Sequence, residues 1–178
     1  KVLLLVCEGR TFIAGADISE FGKPMQDPGL PSVVDQYENC DKPIVAAIHG
    51  TALGGGLETA LGCHYRVALS SAKVGLPEVK LGLLPGAGGT QRLPRLTGAQ
   101  KALEMITSGE FVGAKDALAL GIVDAVKDGN DIKAVGLAYA QNIADEGKPV
   151  RRVRDLTDKL EADKGSEVFE QFRAGLQK

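Results

Sequence analysis

An α/β core followed by a helical extension is the fold class that this sequence predicts, and three observations predict it. Short, mainly apolar runs recur in the first half, at residues 1–7, 44–48 and 65–69. Such runs read as strands buried on both faces. Glycine-rich turns separate them from helical stretches, at Gly50 to Gly56 and at 85–89. In the second half, residues 97–108, 113–120 and 131–146 place apolar residues at helical spacing. The expected division is a core over 1–96 and a helical extension over 97–178.

Taken in order, Lys1 to Cys7 forms the first strand, and Glu8 to Ala16 is a loop with small residues at Ala14, Gly15 and Ala16. Asp17 followed by Glu20 is a capping-box pattern, so a helix is expected to start near Asp17. Residues 22–31 hold three prolines and two glycines and read as a loop. A helix over 32–41 leads to Pro43, which opens the strand Ile44 to Ile48. The glycine-rich turn follows, then a helix over Leu57 to Gly62 and strands at Tyr65–Leu69 and Lys73–Leu76. An initial strand with no preceding methionine suggests a chain that begins inside a longer protein.

Composition removes several function classes. The chain has 178 residues, 21 basic and 23 acidic, for a formal net charge of −2. That is not the basic footprint of a nucleic-acid binder. The one dense basic stretch, Arg151, Arg152 and Arg154, reads as a solvated face, with a neighbouring domain or a phosphate as the sharper alternative. Cys7, Cys40 and Cys63 form no CxxC pair, so neither a disulfide framework nor a zinc site is expected. The opening apolar run is too short to span a membrane. His49 and His64 lack an HExxH arrangement, and structural roles are expected for both. No metal site is expected.

Gly54, Gly55 and Gly56 stand between a strand and a helix. Glycines are costly there unless backbone must lie close to something. The first N–H groups of a helix have no internal partner and can bind a phosphate or a developing oxyanion. A tight turn against a neighbouring element is the plain alternative. GxGxxG fails at both glycine-rich turns, because Gln91 and Thr59 stand where glycine is required, and no P-loop pattern occurs. Glu58 lies in the first helical turn after the glycines, where the helix dipole favours a carboxylate. Glu78 follows Pro77 at a strand end. Either alone could be a surface carboxylate. Two carboxylates with separate environments at one cleft can work as acid and base.

Three ordered motifs make the sequence resemble the crotonase, or enoyl-CoA hydratase/isomerase, superfamily. They are Phe12 to Ile18 (FIAGADI), Ala46 to Glu58 (AAIHGTALGGGLE), and Gly75 to Val79 running on to Leu83 to Leu93 (LLPGAGGTQRL). The resemblance covers roughly residues 1–126. It implies a crotonase-like spiral of ββα units, with an N-terminal portion of that core absent here. It implies that the backbone N–H groups of Ala16 and Gly55 bind a thioester oxygen. Ala14, Ala16, Ile18, Gly54 and Gly55 would contact CoA or substrate. Glu58 and Glu78 match the catalytic glutamates of the hydratases, with water activation assigned mainly to Glu58 and C2 protonation to Glu78.

The implied reaction adds water to a 2-trans-enoyl-CoA in fatty-acid β-oxidation, with 3-enoyl to 2-enoyl isomerisation as a second activity. Another crotonase-type acyl-CoA reaction and a silent CoA-binding module remain as alternatives. No cofactor is required for hydration. The tail from Pro149 to Leu156 resembles the hydratase/isomerase portion of multifunctional β-oxidation enzymes, in which a 3-hydroxyacyl-CoA dehydrogenase part using NAD follows. The partners implied are an acyl-CoA thioester and either a trimer-based homo-oligomer or an intramolecular dehydrogenase domain. The location implied is cytoplasmic in a bacterium, and peroxisomal or mitochondrial in a eukaryote.

Overall fold

The chain's apolar runs are short because each crosses a single parallel sheet. The structure, a computed structural model, describes residues 1–17, 22–24, 27–163 and 166–176. In chain order the elements are β1 (Leu3–Val6), α1 (Leu30–Asn39), β2 (Ile44–Ile48), β3 (Thr51–Leu53), α2 (Gly55–Gly62), β4 (Tyr65–Leu69) and β5 (Lys73–Gly75). A 3-10 turn at Pro77–Leu81 follows, then α3 (Gly89–Thr97), α4 (Ala99–Ser108), β6 (Val112–Gly113), α5 (Ala114–Ala119) and β7 (Ala125–Lys127). The chain continues through α6 (Ile132–Asp145), a 3-10 turn at Val153–Asp155, α7 (Asp158–Ala162) and α8 (Ser166–Leu176).

β1, β2, β4 and β7 form one wholly parallel sheet in the order β1-β2-β4-β7. Alternate residues of β2 and β4 face opposite sides, as strand geometry requires. Ile44, Ala46, Ile48 and Ala68 pack with Leu57, Leu61 and Leu93. Val45, Ala47, Val67 and Leu69 pack with Ile132, Ala140 and Ile143 of α6. Asp131 caps α6 by accepting from the Ala134 N–H at 2.9 Å. A smaller sheet orders β3-β5-β6, with β3 and β5 parallel and β5 and β6 antiparallel.

Several elements differ from the sequence expectations. The Gly50 to Gly56 turn contains β3, which pairs with β5. β7 lies beyond residue 96 yet completes the main sheet, so the sheet draws on both sides of that position. α3 runs through Pro94, which falls inside it. The capping-box helix expected from Asp17 falls mainly on residues 18–21, outside the described residues.

The arginine stretch is not the solvated face expected from its charge. It is a strap fastened to the core of its own chain. Arg151 donates to Asp124 Oδ1 at 2.5 Å and lies over the Tyr65 ring, 4.9 Å from its centroid. Arg152 Nε donates to the Glu38 carbonyl at 3.0 Å, and Arg154 Nη2 donates to Asn39 Oδ1 at 2.6 Å. Acceptors on distant elements, partly buried for Arg151 and Arg152 and exposed for Arg154, hold these guanidinium groups, and sequence distance hid that. Tyr65 adds a bond from its hydroxyl to the Pro149 carbonyl at 2.7 Å. Tyr65→Phe is expected to cost about 1 kcal/mol, the usual net worth of one such bond. A lowered urea midpoint at unchanged slope would show it, and an unchanged midpoint would mean the strap is held elsewhere.

The two histidines take structural positions. His64 is buried, and its Nδ1 accepts the Ile44 N–H at 2.9 Å. Nε2 therefore carries the proton and donates to the Glu38 carbonyl at 3.3 Å. Burial holds this imidazole below the usual histidine range, which suits a neutral ring. His49 Nε2 lies 3.2 Å from the Gly9 carbonyl.

Candidate active site

The site forms where the chain turns from β3 into α2. Residues 11–13 run beside β3 and are pinned there by backbone bonds. Phe12 donates to the His49 carbonyl at 2.9 Å, Ile13 to the Thr51 carbonyl at 3.2 Å, and Leu53 back to the Ile13 carbonyl at 3.0 Å. The Thr11 hydroxyl donates to the Thr51 carbonyl at 2.8 Å and accepts the Thr51 N–H at 2.7 Å. This lattice carries Ala14, Gly15 and Ala16 across to the glycine turn.

The turn needs its glycines for two different reasons. Gly54 has φ +53° and ψ −127°, a conformation closed to other residues. Its N–H donates to the Gly75 carbonyl at 2.9 Å and ends the β3–β5 pairing. Gly56 needs its missing side chain: a Cβ there would stand 2.1 Å from the Ile13 carbonyl oxygen. The next N–H, that of Gly55, opens α2. Among the described residues, neither the Gly55 N–H nor the Ala16 N–H has a hydrogen-bond partner.

A cavity of about 180 Å³ lies in front of these groups. Ala14, Ala16, Gly54, Gly55 and Glu78 line it, and Pro77, Leu81 and Leu83 supply an apolar wall. Five of the residues predicted for the site thus share one cavity. Glu58 sits behind it at 2% exposure, on the buried face of α2. Ile18, the remaining predicted contact, lies outside the described residues.

The two carboxylates stand in contrasting surroundings. Glu58 Oε1 accepts the N–H groups of Ala87 and Gly89, each at 2.7 Å. Its carboxylate is therefore aimed by the second glycine-rich turn. Glycine at 89 lets the turn come this close, since a Cβ there would lie 3.0 Å from that same oxygen and press the carboxylate back. Glu78 has the opposite character. Its Oε2 is buried with no hydrogen-bond partner among the described residues. Burial pushes Glu78 above the usual carboxylate range, and the charge of nearby Glu58 adds to that, against a lowering bond from its own backbone. The bare glycine at 54 lets this carboxyl group approach the turn: a Cβ there would lie 3.2 Å from Glu78 Oε1.

In sequence the 85–89 segment reads as a glycine-rich turn that fails GxGxxG and as part of the third motif, and its structural partners are not legible there. Ala87 and Gly89 hold Glu58, and Arg92 holds the loop from behind, donating to the Ala87 carbonyl at 3.0 Å. Two outward N–H groups beside an acceptor carboxylate and a carboxyl group that keeps its proton to higher pH could polarise a carbonyl and move protons next to it. Among the described residues, no group of three His, Cys, Asp or Glu side chains could hold a metal ion. No helix among them is long and apolar enough to cross a membrane.

The enoyl-CoA hydratase/isomerase family profile matches residues 1–177. A peroxisomal bifunctional enzyme from Danio rerio is 52% identical over 157 residues, covering 86% of this chain and 21% of that protein. A peroxisomal fatty acid beta-oxidation multifunctional protein from Arabidopsis thaliana is 39% identical over 168 residues, covering 90% of this chain and 23% of that one. Among solved structures, an enoyl-CoA hydratase from Bacillus anthracis superposes with a TM-score of 0.74 at 38% identity, covering 81% of this chain and 58% of that one. The chain thus spans about a fifth of the length of these two bifunctional and multifunctional relatives.

Proposed function

We propose, from the premise that this chain belongs to the enoyl-CoA hydratase/isomerase family with its crotonase-type α/β fold, that it adds water to 2-trans-enoyl-CoA thioesters in fatty-acid β-oxidation. The observation that carries the proposal is the contrast between Glu58 and Glu78 beside the N–H groups of Ala16 and Gly55.

Attack of water at C3 drives electrons onto the thioester oxygen as an enolate. The Ala16 and Gly55 N–H groups would hold that oxygen, each contributing on the order of 3 kcal/mol to the charged transition state. Glu58, aimed by two backbone donors, would take the proton from the attacking water. Glu78, which keeps its proton to higher pH, would deliver one to C2. The same Glu78 could shuttle a proton between C2 and C4 in an isomerisation. Hydration needs no cofactor in this scheme. Ala14, Ile18 and Gly54 would complete the thioester and CoA contacts.

The bifunctional and multifunctional relatives support a wider proposal for the whole protein. A 3-hydroxyacyl-CoA dehydrogenase part using NAD would consume the hydration product. Peroxisomal location in a eukaryote follows the naming of those relatives. Cytoplasmic location would apply in a bacterium.

The test is loss of the conjugated enoyl-thioester absorbance when the full-length protein meets crotonyl-CoA. Steady loss proportional to enzyme is expected. A folded protein that binds acyl-CoA by calorimetry without turnover would overturn hydration in favour of a binding module.

A further inference from the structure

We propose that Arg92 is a positioning residue for Glu58, acting through the 86–89 turn and clamped in place by Glu38 and Asp35 of α1. The proposal rests on the role given to Glu58 above.

Ala87 is gripped from both sides. Its N–H donates to Glu58 Oε1 at 2.7 Å, and its carbonyl accepts from Arg92 Nη1 at 3.0 Å. Arg92 is 7% exposed, and its other guanidinium donors are taken up by α1. Its Nε donates to Glu38 Oε1 at 3.2 Å, and its Nη2 donates to Glu38 Oε2 at 2.7 Å and to Asp35 Oδ1 at 3.1 Å. Glu38 is in turn tied to the strap, accepting the Arg154 N–H at 3.1 Å. Burial alone would raise Glu38, but the Arg92 and Arg154 bonds outweigh it and hold this carboxyl below its usual range.

The glycines of the turn fit this arrangement. A Cβ on Gly88 would stand 2.1 Å from Arg92 Nη1, so the guanidinium reaches the Ala87 carbonyl only across a residue without a side chain. Gly89 leaves the equivalent space for Glu58. Adjacent glycines thus make room for the carboxylate on one side of the turn and for its support on the other.

A buried ion pair is a poor way to stabilise a fold, because desolvation offsets most of its attraction, and an apolar pair of similar volume often does as well. What an apolar pair cannot supply is a donor to the Ala87 carbonyl. Without that donor the turn can rotate its N–H groups away from Glu58. Misplacement of a catalytic group by about 1 Å costs on the order of a hundredfold in rate.

The experiment compares Arg92→Met, the paired variant Arg92→Met with Glu38→Leu, Glu58→Gln, and the combination of Arg92→Met with Glu58→Gln, all in the full-length protein. The paired variant guards against misfolding, since it leaves no buried charge alone. Crotonyl-CoA hydration gives kcat, and calorimetry with the unreactive butyryl-CoA gives Kd. Both Arg92 variants are expected to lose about a hundredfold in kcat with Kd little changed. Arg92→Met added to Glu58→Gln should cost nothing further, because Arg92 acts through Glu58. Losses that multiply in the combined variant, or a Kd that weakens in step with kcat, would overturn the proposal. A normal kcat in the Arg92 variants beside an impaired Glu58→Gln would overturn it alone. A normal Glu58→Gln would instead overturn the role of Glu58 on which it rests.

Discussion

Glu58→Gln is expected to lower kcat for crotonyl-CoA hydration by about a thousandfold, the middle of the range for removing a positioned acid or base. That corresponds to about 4 kcal/mol of transition-state stabilisation. The substitution is clean for a structural reason. The Ala87 and Gly89 N–H groups both point at Oε1. A glutamine can present only its amide oxygen to two donors, so the side chain is held in the same orientation. The NH₂ group then takes the place of Oε2, which accepts no hydrogen bond among the described residues. The position that would receive a proton from water becomes a donor. KM for acyl-CoA should change little, because the cavity lining does not include Glu58. Steady-state kinetics on a variant with an unchanged circular dichroism spectrum checks this. A kcat within a few fold of the parent would remove Glu58 from the mechanism.

The parts of this arrangement that sequence exposed are those written in local pattern. The unbroken apolar run of β2, from Ile44 to Ile48, is what a strand buried on both faces requires, and it is wholly buried. The three glycines at 54–56 flag a backbone that must pass close to something: Gly56 passes the Ile13 carbonyl, and Gly54 faces the Glu78 carboxyl group. β7 escaped because Ala125–Lys127 is three residues long and only half-buried, with no period to read. β3 escaped because its pairing with β5 overrides the glycines that follow it. Arg92, Glu38 and the arginine strap escaped for a different reason. Their meaning lies in contacts across 27 to 116 residues of chain, and a charged side chain looks the same in sequence whether it meets water or a buried acceptor. For Ala14, Ala16, Gly54, Gly55, Glu58 and Glu78, the ordered motifs supplied what spacing alone did not, and five of these six line one cavity with Glu58 behind it.

Glu78→Gln is expected to move activity and stability in opposite directions. Its kcat should fall by about a thousandfold, because an amide cannot deliver a proton to C2. Its stability at neutral pH should rise. Burial, with the charge of Glu58 adding to it, raises the Glu78 carboxyl above its usual range, so the folded state holds this proton more tightly than the unfolded chain does. Its favourable contribution is complete below the ordinary glutamate range, near about 4.3, and is lost as pH rises through the raised value. Above that, the fold carries a half-buried carboxylate whose Oε2 is buried with no partner among the described residues. Glutamine removes the charge at the same volume. Urea unfolding at pH 8 should therefore show a higher midpoint for the variant, and the advantage should shrink as pH falls toward the ordinary glutamate range. A residue placed for packing would lose stability on replacement and lose activity only in proportion. A site residue held at a cost to the fold gains stability while activity collapses. A variant that is less stable at pH 8, or one that hydrates crotonyl-CoA at the parental rate, would take Glu78 out of the role of proton donor.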